Sequence, residues 1–265
     1  MRGVGLHSGT ECTVWLHRSE GPLRFRRAGT DIPAHVSRVA STDRAVTLSQ
    51  GGAKVSLVEH LLAALRVAGF YSGVVVEATA DELPILDGSA LPWLEHVEAL
   101  GAPPAAPEPL KLGADVVVTR GSSVARASPG SESLSCRIEF AHPAIGSQEW
   151  SGGPAGYGAL LGARTFGLLA EAEVLVRRGL ARGASLEHAI VFGDDGPLRP
   201  LRFEDEPVRH KALDALGDLA LLARPLEASL TIERGSHALH HALMLAILSR
   251  AAPARTGTQP GQRTA

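Results

Sequence analysis

Two stretches of this chain repeat one pattern, and an internal repeat restricts the possible folds more than any single motif does. Glu59-His60-Leu61-Leu62-Ala63-Ala64-Leu65 is matched by Arg209-His210-Lys211-Ala212-Leu213-Asp214-Ala215-Leu216, and each reads as a helix headed by histidine. Each is followed by a strand-like run, 73–77 and 227–232. A Gly-Ser pair comes next, and then a second helix, 91–100 and 238–248. Between the halves, Ala102-Pro103-Pro104-Ala105-Ala106-Pro107-Glu108-Pro109 can continue neither a helix nor a central strand and reads as a linker. The pattern predicts an α+β fold of two similar α+β units, over 1–104 and 110–250. Packed face to face, such units bring His60 and His210 together. Further strands are expected at 11–16, 23–26, 44–48, 115–119, 134–140 and 189–192, from β-branched content and flanking turns. From Ala252 onward periodicity is lost, and 252–265 is expected to be a disordered tail.

The chain has 265 residues, 45% of them hydrophobic, enough for one large core or two modest ones. No window approaches the roughly 18 apolar residues of a membrane span. The first residues lack the apolar core of a signal peptide, so a cytoplasmic protein is expected. A net charge of −2 with scattered arginines gives no electrostatic case for a nucleic-acid partner. Cys12 and Cys136 lie far apart without metal-ligand spacing and are expected to be reduced and structural.

At about 100° per residue, His210, Asp214 and Asp218 share one stripe of their helix, with Lys211 at its edge. Imidazole nitrogen and carboxylate oxygen are ordinary zinc ligands, and a catalytic zinc takes three protein ligands with a fourth position open. The plain alternative is a solvated face. In the first half a helix over 55–68, closed by Gly69, is apolar nearly all round, so Glu59 and His60 inside it need partners. Ser56-x-x-Glu59 also fits a capping box, in which Glu59 only satisfies a backbone amide. Asp81, Glu82 and Asp87 read as turn and cap chemistry.

Ordered blocks along the chain resemble the bacterial UDP-3-O-acyl-N-acetylglucosamine deacetylases of lipid A (lipopolysaccharide) biosynthesis. They are Gly3-Val4-Gly5-Leu6-His7-Ser8-Gly9, Val58-Glu59-His60-Leu61-Leu62-Ala63-Ala64-Leu65, Glu82-Leu83-Pro84-Ile85-Leu86-Asp87-Gly88-Ser89-Ala90, His142-Pro143-Ala144, Ala163-Arg164-Thr165-Phe166-Gly167, Leu201 through Glu206 into Val208-Arg209-His210-Lys211, and Gly235-Ser236-His237-Ala238-Leu239. The resemblance implies helices sandwiched between two β-sheets, with the active site at the junction and a substrate-framing insert near 160–192. It implies one Zn2+ per chain on His60, His210 and Asp214, with Fe2+ as the alternative in the cell. Glu59 is implied as general base, His237 as charged acid oriented by Asp218, and Thr165 as oxyanion donor. Lys211 is implied to face the phosphates of the UDP-linked acylated glucosamine, and Phe166 to lie in the insert. Leu160, Leu161, Phe166, Leu168, Leu169, Ala189, Ile190 and Val191 offer an acyl groove or plain core. A monomer is expected. The alternatives are a zinc amidohydrolase of drifted specificity and a silent homologue acting as a binding protein. Departures from the family are the lack of a strand before Gly3, which would expose a sheet edge, Leu57 in place of threonine, His240 in place of asparagine, and Ser41-Thr42-Asp43-Arg44 in place of a cysteine-containing stretch.

Overall fold

Five strands form the first large sheet, in the order Arg2–Val4, Glu11–Pro22, Ser72–Ala78, Arg24–Arg27, Thr30–Pro33. The second has the order Val116–Arg120, Ser123–Pro129, Leu226–Glu233, Ser133–Glu139, Ser147–Gly152, with Leu110–Lys111 added on the middle strand. In both sheets the middle strand runs antiparallel to the second and parallel to the fourth. The two halves therefore share one sheet topology. The structure, a computed structural model, describes residues 1–177 and 179–250, and the expected tail lies outside them.

Side-chain periodicity explains the sheets. Along Leu226–Glu233 the buried positions alternate, Leu226, Ala228, Leu230 and Ile232 facing the core while Glu227, Ser229 and Thr231 face outward. A short strand at Arg2–Val4 occupies the edge expected to lie bare, pairing with Glu11–Thr13.

The described residues form five α-helices in chain order: α1 (Glu59–Val67), α2 (Leu91–Glu98), α3 (Leu169–Arg177), α4 (Glu206–Leu219) and α5 (His237–Arg250). Glu59 through Arg66 are all buried, and in α4 every residue but Arg209 and Lys211 is buried. A solvated face for the His210 stripe is thereby overturned: the carboxylates of α4 lie in the interior. α1 packs on α2 and α4, and α4 packs on α5 and the second sheet. The helices approach closely because Gly217 has no side chain, a Cβ there falling 2.0 Å from the Glu59 carbonyl oxygen.

The first helix begins later than its apolar run predicts. Ala53–Ser56 is a strand paired with Thr47–Gln50, and Leu57, at φ +62°, turns the chain so that the helix opens at Glu59. The strand expected from residue 44 likewise starts at Thr47, after Arg44 at φ +63°. With Val39–Ser41 these strands form a small sheet, and Phe166–Leu168, Ile190–Gly193 and Gly196–Pro197 form a second one next to α3. The proline-rich segment is docked rather than free, since Pro103 and Pro104 pack against Gly69 and Gly73. Cys12 and Cys136 are buried free thiols, as expected. No helix among the described residues is long and apolar enough to cross a membrane.

Candidate active site

α4 presents His210 and Asp214 one turn apart, and α1 presents His60 from the other half. The imidazoles meet edge to face, ring centroids 5.1 Å apart at 89°. Asp214 Oδ1 lies 3.3 Å from His210 Nε2 and 3.8 Å from His60 Nε2. Ligands held about 2.0–2.2 Å from a tetrahedral zinc stand about 3.3–3.5 Å from one another, so this spacing fits a shared ion. His210 Nδ1 donates to the Ala163 carbonyl at 3.1 Å, which leaves Nε2 bare toward Asp214. His60 Nδ1 has no partner among the described residues. Burial pushes the His60 pKa down to about 3 and lowers that of His210, so both rings are neutral, the form that binds metal. Burial opposes ionisation of Asp214, but His210 and Lys211 outweigh it and hold its carboxyl well below the usual range. Lys211 Nζ donates to Asp214 Oδ2 at 3.0 Å.

The capping-box alternative for Glu59 fails. Ser56 is a strand residue whose hydroxyl donates to the Asp81 carbonyl, and Glu59 Oε2 instead accepts from the Val46 amide at 3.1 Å. Glu59 Oε1 stands 3.6 Å from His237 Nε2. Burial pushes the Glu59 pKa up to about 7. Burial works against charge on His237 as well, yet Asp218 and Glu59 carry its pKa up to about 10. Its Nδ1 donates to Asp218 Oδ2 at 2.7 Å. His240 Nδ1 reaches the same oxygen at 2.7 Å, a hydrogen-bond spacing shorter than that between two ligands of one zinc.

These groups close one end of a cavity of about 260 Å³ whose other walls include Leu57, Thr165, Phe166, Leu168, Ala172 and Val191. Thr165 is held through its backbone, its amide donating to the Gly88 carbonyl at 2.7 Å and its carbonyl accepting from Ile190. Gly88 is required there, at φ +86° and with a Cβ otherwise 2.3 Å from the His188 oxygen. Of the expected groove, Leu160, Leu161 and Ile190 are core, and Leu169 is exposed. A larger cleft of about 640 Å³ nearby is lined by opposed charges, among them Arg27, Lys54 and Asp81, and none of the clustered ligands lies in it.

The remaining motifs brace the site. Glu82 accepts from the His7 and Ser8 amides at 2.8 and 2.7 Å, which brings His7 to the cavity wall. Asp87 pairs with Arg202 at 2.8 Å across the two halves, and buried Glu206 pairs with Arg164. Sequence reasoning assigned no function to His7, Arg44, Glu171 or His240. For His240 a signal existed, a histidine three residues after His237 on one helix face.

Neutral imidazoles and an ionised carboxylate at ligand spacing, beside a carboxyl and an imidazole of shifted pKa at the end of an apolar cavity, define a metal-dependent hydrolase. Comparison with known proteins narrows that class. The LpxC family, UDP-3-O-acyl N-acetylglycosamine deacetylase, matches residues 1–249. Among curated relatives, the UDP-3-O-acyl-N-acetylglucosamine deacetylase of Thermosynechococcus vestitus is 42% identical over 92% of this chain and 90% of its own length. That of Myxococcus xanthus is 39% identical over 94% of this chain and 83% of its own length. The chain belongs to the UDP-3-O-acyl N-acetylglycosamine deacetylase family, whose members are metal-dependent enzymes.

Proposed function

We propose that this protein hydrolyses the N-acetyl amide of UDP-3-O-acyl-N-acetylglucosamine, releasing acetate, in the cytoplasm as a step of lipid A biosynthesis. His60, His210 and Asp214 hold one zinc, and Fe2+ suits the same donors. Zinc bound there would activate a water molecule and polarise the acetamide carbonyl.

The chain's own groups do the rest. Glu59 takes the proton of the attacking water, and the Thr165 hydroxyl donates to the developing oxyanion. His237 holds a proton on Nε2 for the leaving amine while Asp218 fixes the ring through Nδ1. The observation that carries this reading is the pairing of Glu59 with His237 at 3.6 Å, one group pushed to about 7 and the other to about 10. At neutral pH a carboxyl poised between its ionised and protonated forms and a protonated imidazole therefore coexist in one site. Phe166 and Leu168 wall the side that takes the sugar and acyl chain. Lys211 lines both this cavity and a smaller one of about 110 Å³ with Glu139, Phe140 and Arg234, where Lys211 is the cation offered to the diphosphate and Arg234 is paired with Glu139. The chain acts as a monomer.

Mass spectrometry of UDP-3-O-acyl-N-acetylglucosamine incubated with zinc-loaded protein tests the reading against a chelator-treated control. Loss of one acetyl group in the loaded sample alone is expected. Intact substrate with folded, zinc-replete protein would refute the assigned reaction.

A further inference from the structure

α5 places His237 and His240 three residues apart on one face, and both reach the carboxylate that α4 supplies through Asp218. Their Nδ1 atoms each lie 2.7 Å from the same oxygen, Asp218 Oδ2, and the rings cross at 88° with centroids 6.3 Å apart. An ionised carboxylate only accepts, so both imidazoles carry a proton on Nδ1. His240 is 1% exposed, and its Nε2 has no partner among the described residues. The slot around it is closed by Gly235, where a Cβ would stand 2.8 Å from that nitrogen. Among the described residues Asp218 is thus the one polar contact of this buried ring.

We propose that His240 is a positioning residue for the deacetylation, donating Nδ1–H to Asp218 Oδ2 so that this carboxylate stays seated against His237 without binding its proton too tightly. The inference rests on the reading of His237 as the proton donor. Two donors on one oxygen share its charge, so each is held less strongly than it would be alone. Asp218 is otherwise poised to over-stabilise the imidazolium. His237 faces Glu59 and His60 from α1, and Asp218, Asp214 and His210 from α4. Lys211 acts on Asp218 from α4 as well. His240 reaches His237 through the shared oxygen, which makes its contribution separable from the others.

Removing this donor leaves Asp218 Oδ2 wholly to His237, and the acid becomes harder to deprotonate. In zinc-loaded His240→Leu, the basic limb of kcat/KM is expected to move up by about one pH unit and kcat to fall roughly 10-fold. His240→Asn, whose amide N–H can serve the same oxygen, is expected to rescue both. A His240→Leu profile that coincides with that of the parent overturns the proposal, as does an equal shift in the leucine and asparagine variants. Zinc content and thermal midpoint are measured for each. If His240→Leu does not fold, ¹⁵N NMR of the histidine side chains in the zinc-loaded parent decides instead. Nδ1–H on His240 supports the proposal, and neutral His240 protonated on Nε2 overturns it. Full activity in His237→Ala would overturn it by a different route, through its premise, and the His240 tautomer tells the two failures apart.

Discussion

His237 shows how a single residue can gain chemistry by losing water. Burial alone would keep it neutral, but Asp218 and Glu59 lift its pKa from the ordinary 6.5 to about 10. A histidine raised in the folded state contributes stability that is complete below its unfolded pKa and is lost as pH rises through the folded value. The metal-free protein should therefore lose thermal stability as pH rises from about 6.5 to about 10, and the upper part of that range lies above the Glu59 titration near 7. In His237→Gln that slope should flatten, as calorimetry across the pH series would register; an unchanged slope would disprove the linkage. Sequence spacing alone brought out His210 and Asp214, because residues four apart on a helix must share a face. Glu59 was ambiguous for a physical reason: Ser56-x-x-Glu59 satisfies the capping pattern, and only the positive φ of Leu57, which no composition rule foretells, moves Ser56 into a strand. His240 stood out in the sequence only as a departure from the family, because the partner that gives it a role, Asp218, lies 22 residues back along the chain and beside it in space.

At the scale of elements, the contact between α1 and α4 sets the site. Gly217 lets the Glu59 carbonyl approach to a distance that no side chain permits. Gly217→Ala would gain about 1 kcal/mol in helix propensity and lose more to the clash with backbone, since overpacked cores cost about 1–3 kcal/mol and this one cannot relax by rotating a side chain. A net loss of stability is expected in denaturant unfolding, together with reduced activity as Glu59 is pushed aside. Equal stability with full activity would show that the helices tolerate wider spacing. Helices and central strands were legible from periodicity, their ends less so. The short strands Val39–Ser41 and Phe166–Leu168 carry no alternation long enough to read, and Phe166–Leu168 also pairs with a strand more than twenty residues on, at Ile190.

The whole molecule is a pair of units with one strand order, joined through a site to which both contribute. His60 belongs to the first and His210 and Asp214 to the second, so an ion held by all three would tie the halves together. Chelation should lower the thermal midpoint of the zinc-loaded protein, and His60→Ala should abolish that difference while also emptying the site, as scanning calorimetry with metal analysis would reveal. A midpoint insensitive to chelator would mean that the halves are held by packing alone. Their shared topology also has a geometric consequence. The positions equivalent to His60 and His210 are both histidine, but Glu59 corresponds to Arg209, and Ala64 to Asp214. The frame is nearly a palindrome, while its chemical load is not. A molecule entering the cleft would meet the buried Glu59 carboxyl, with its raised pKa, from one half and the ionised Asp214 carboxylate from the other, so the duplicated scaffold presents two chemically different walls.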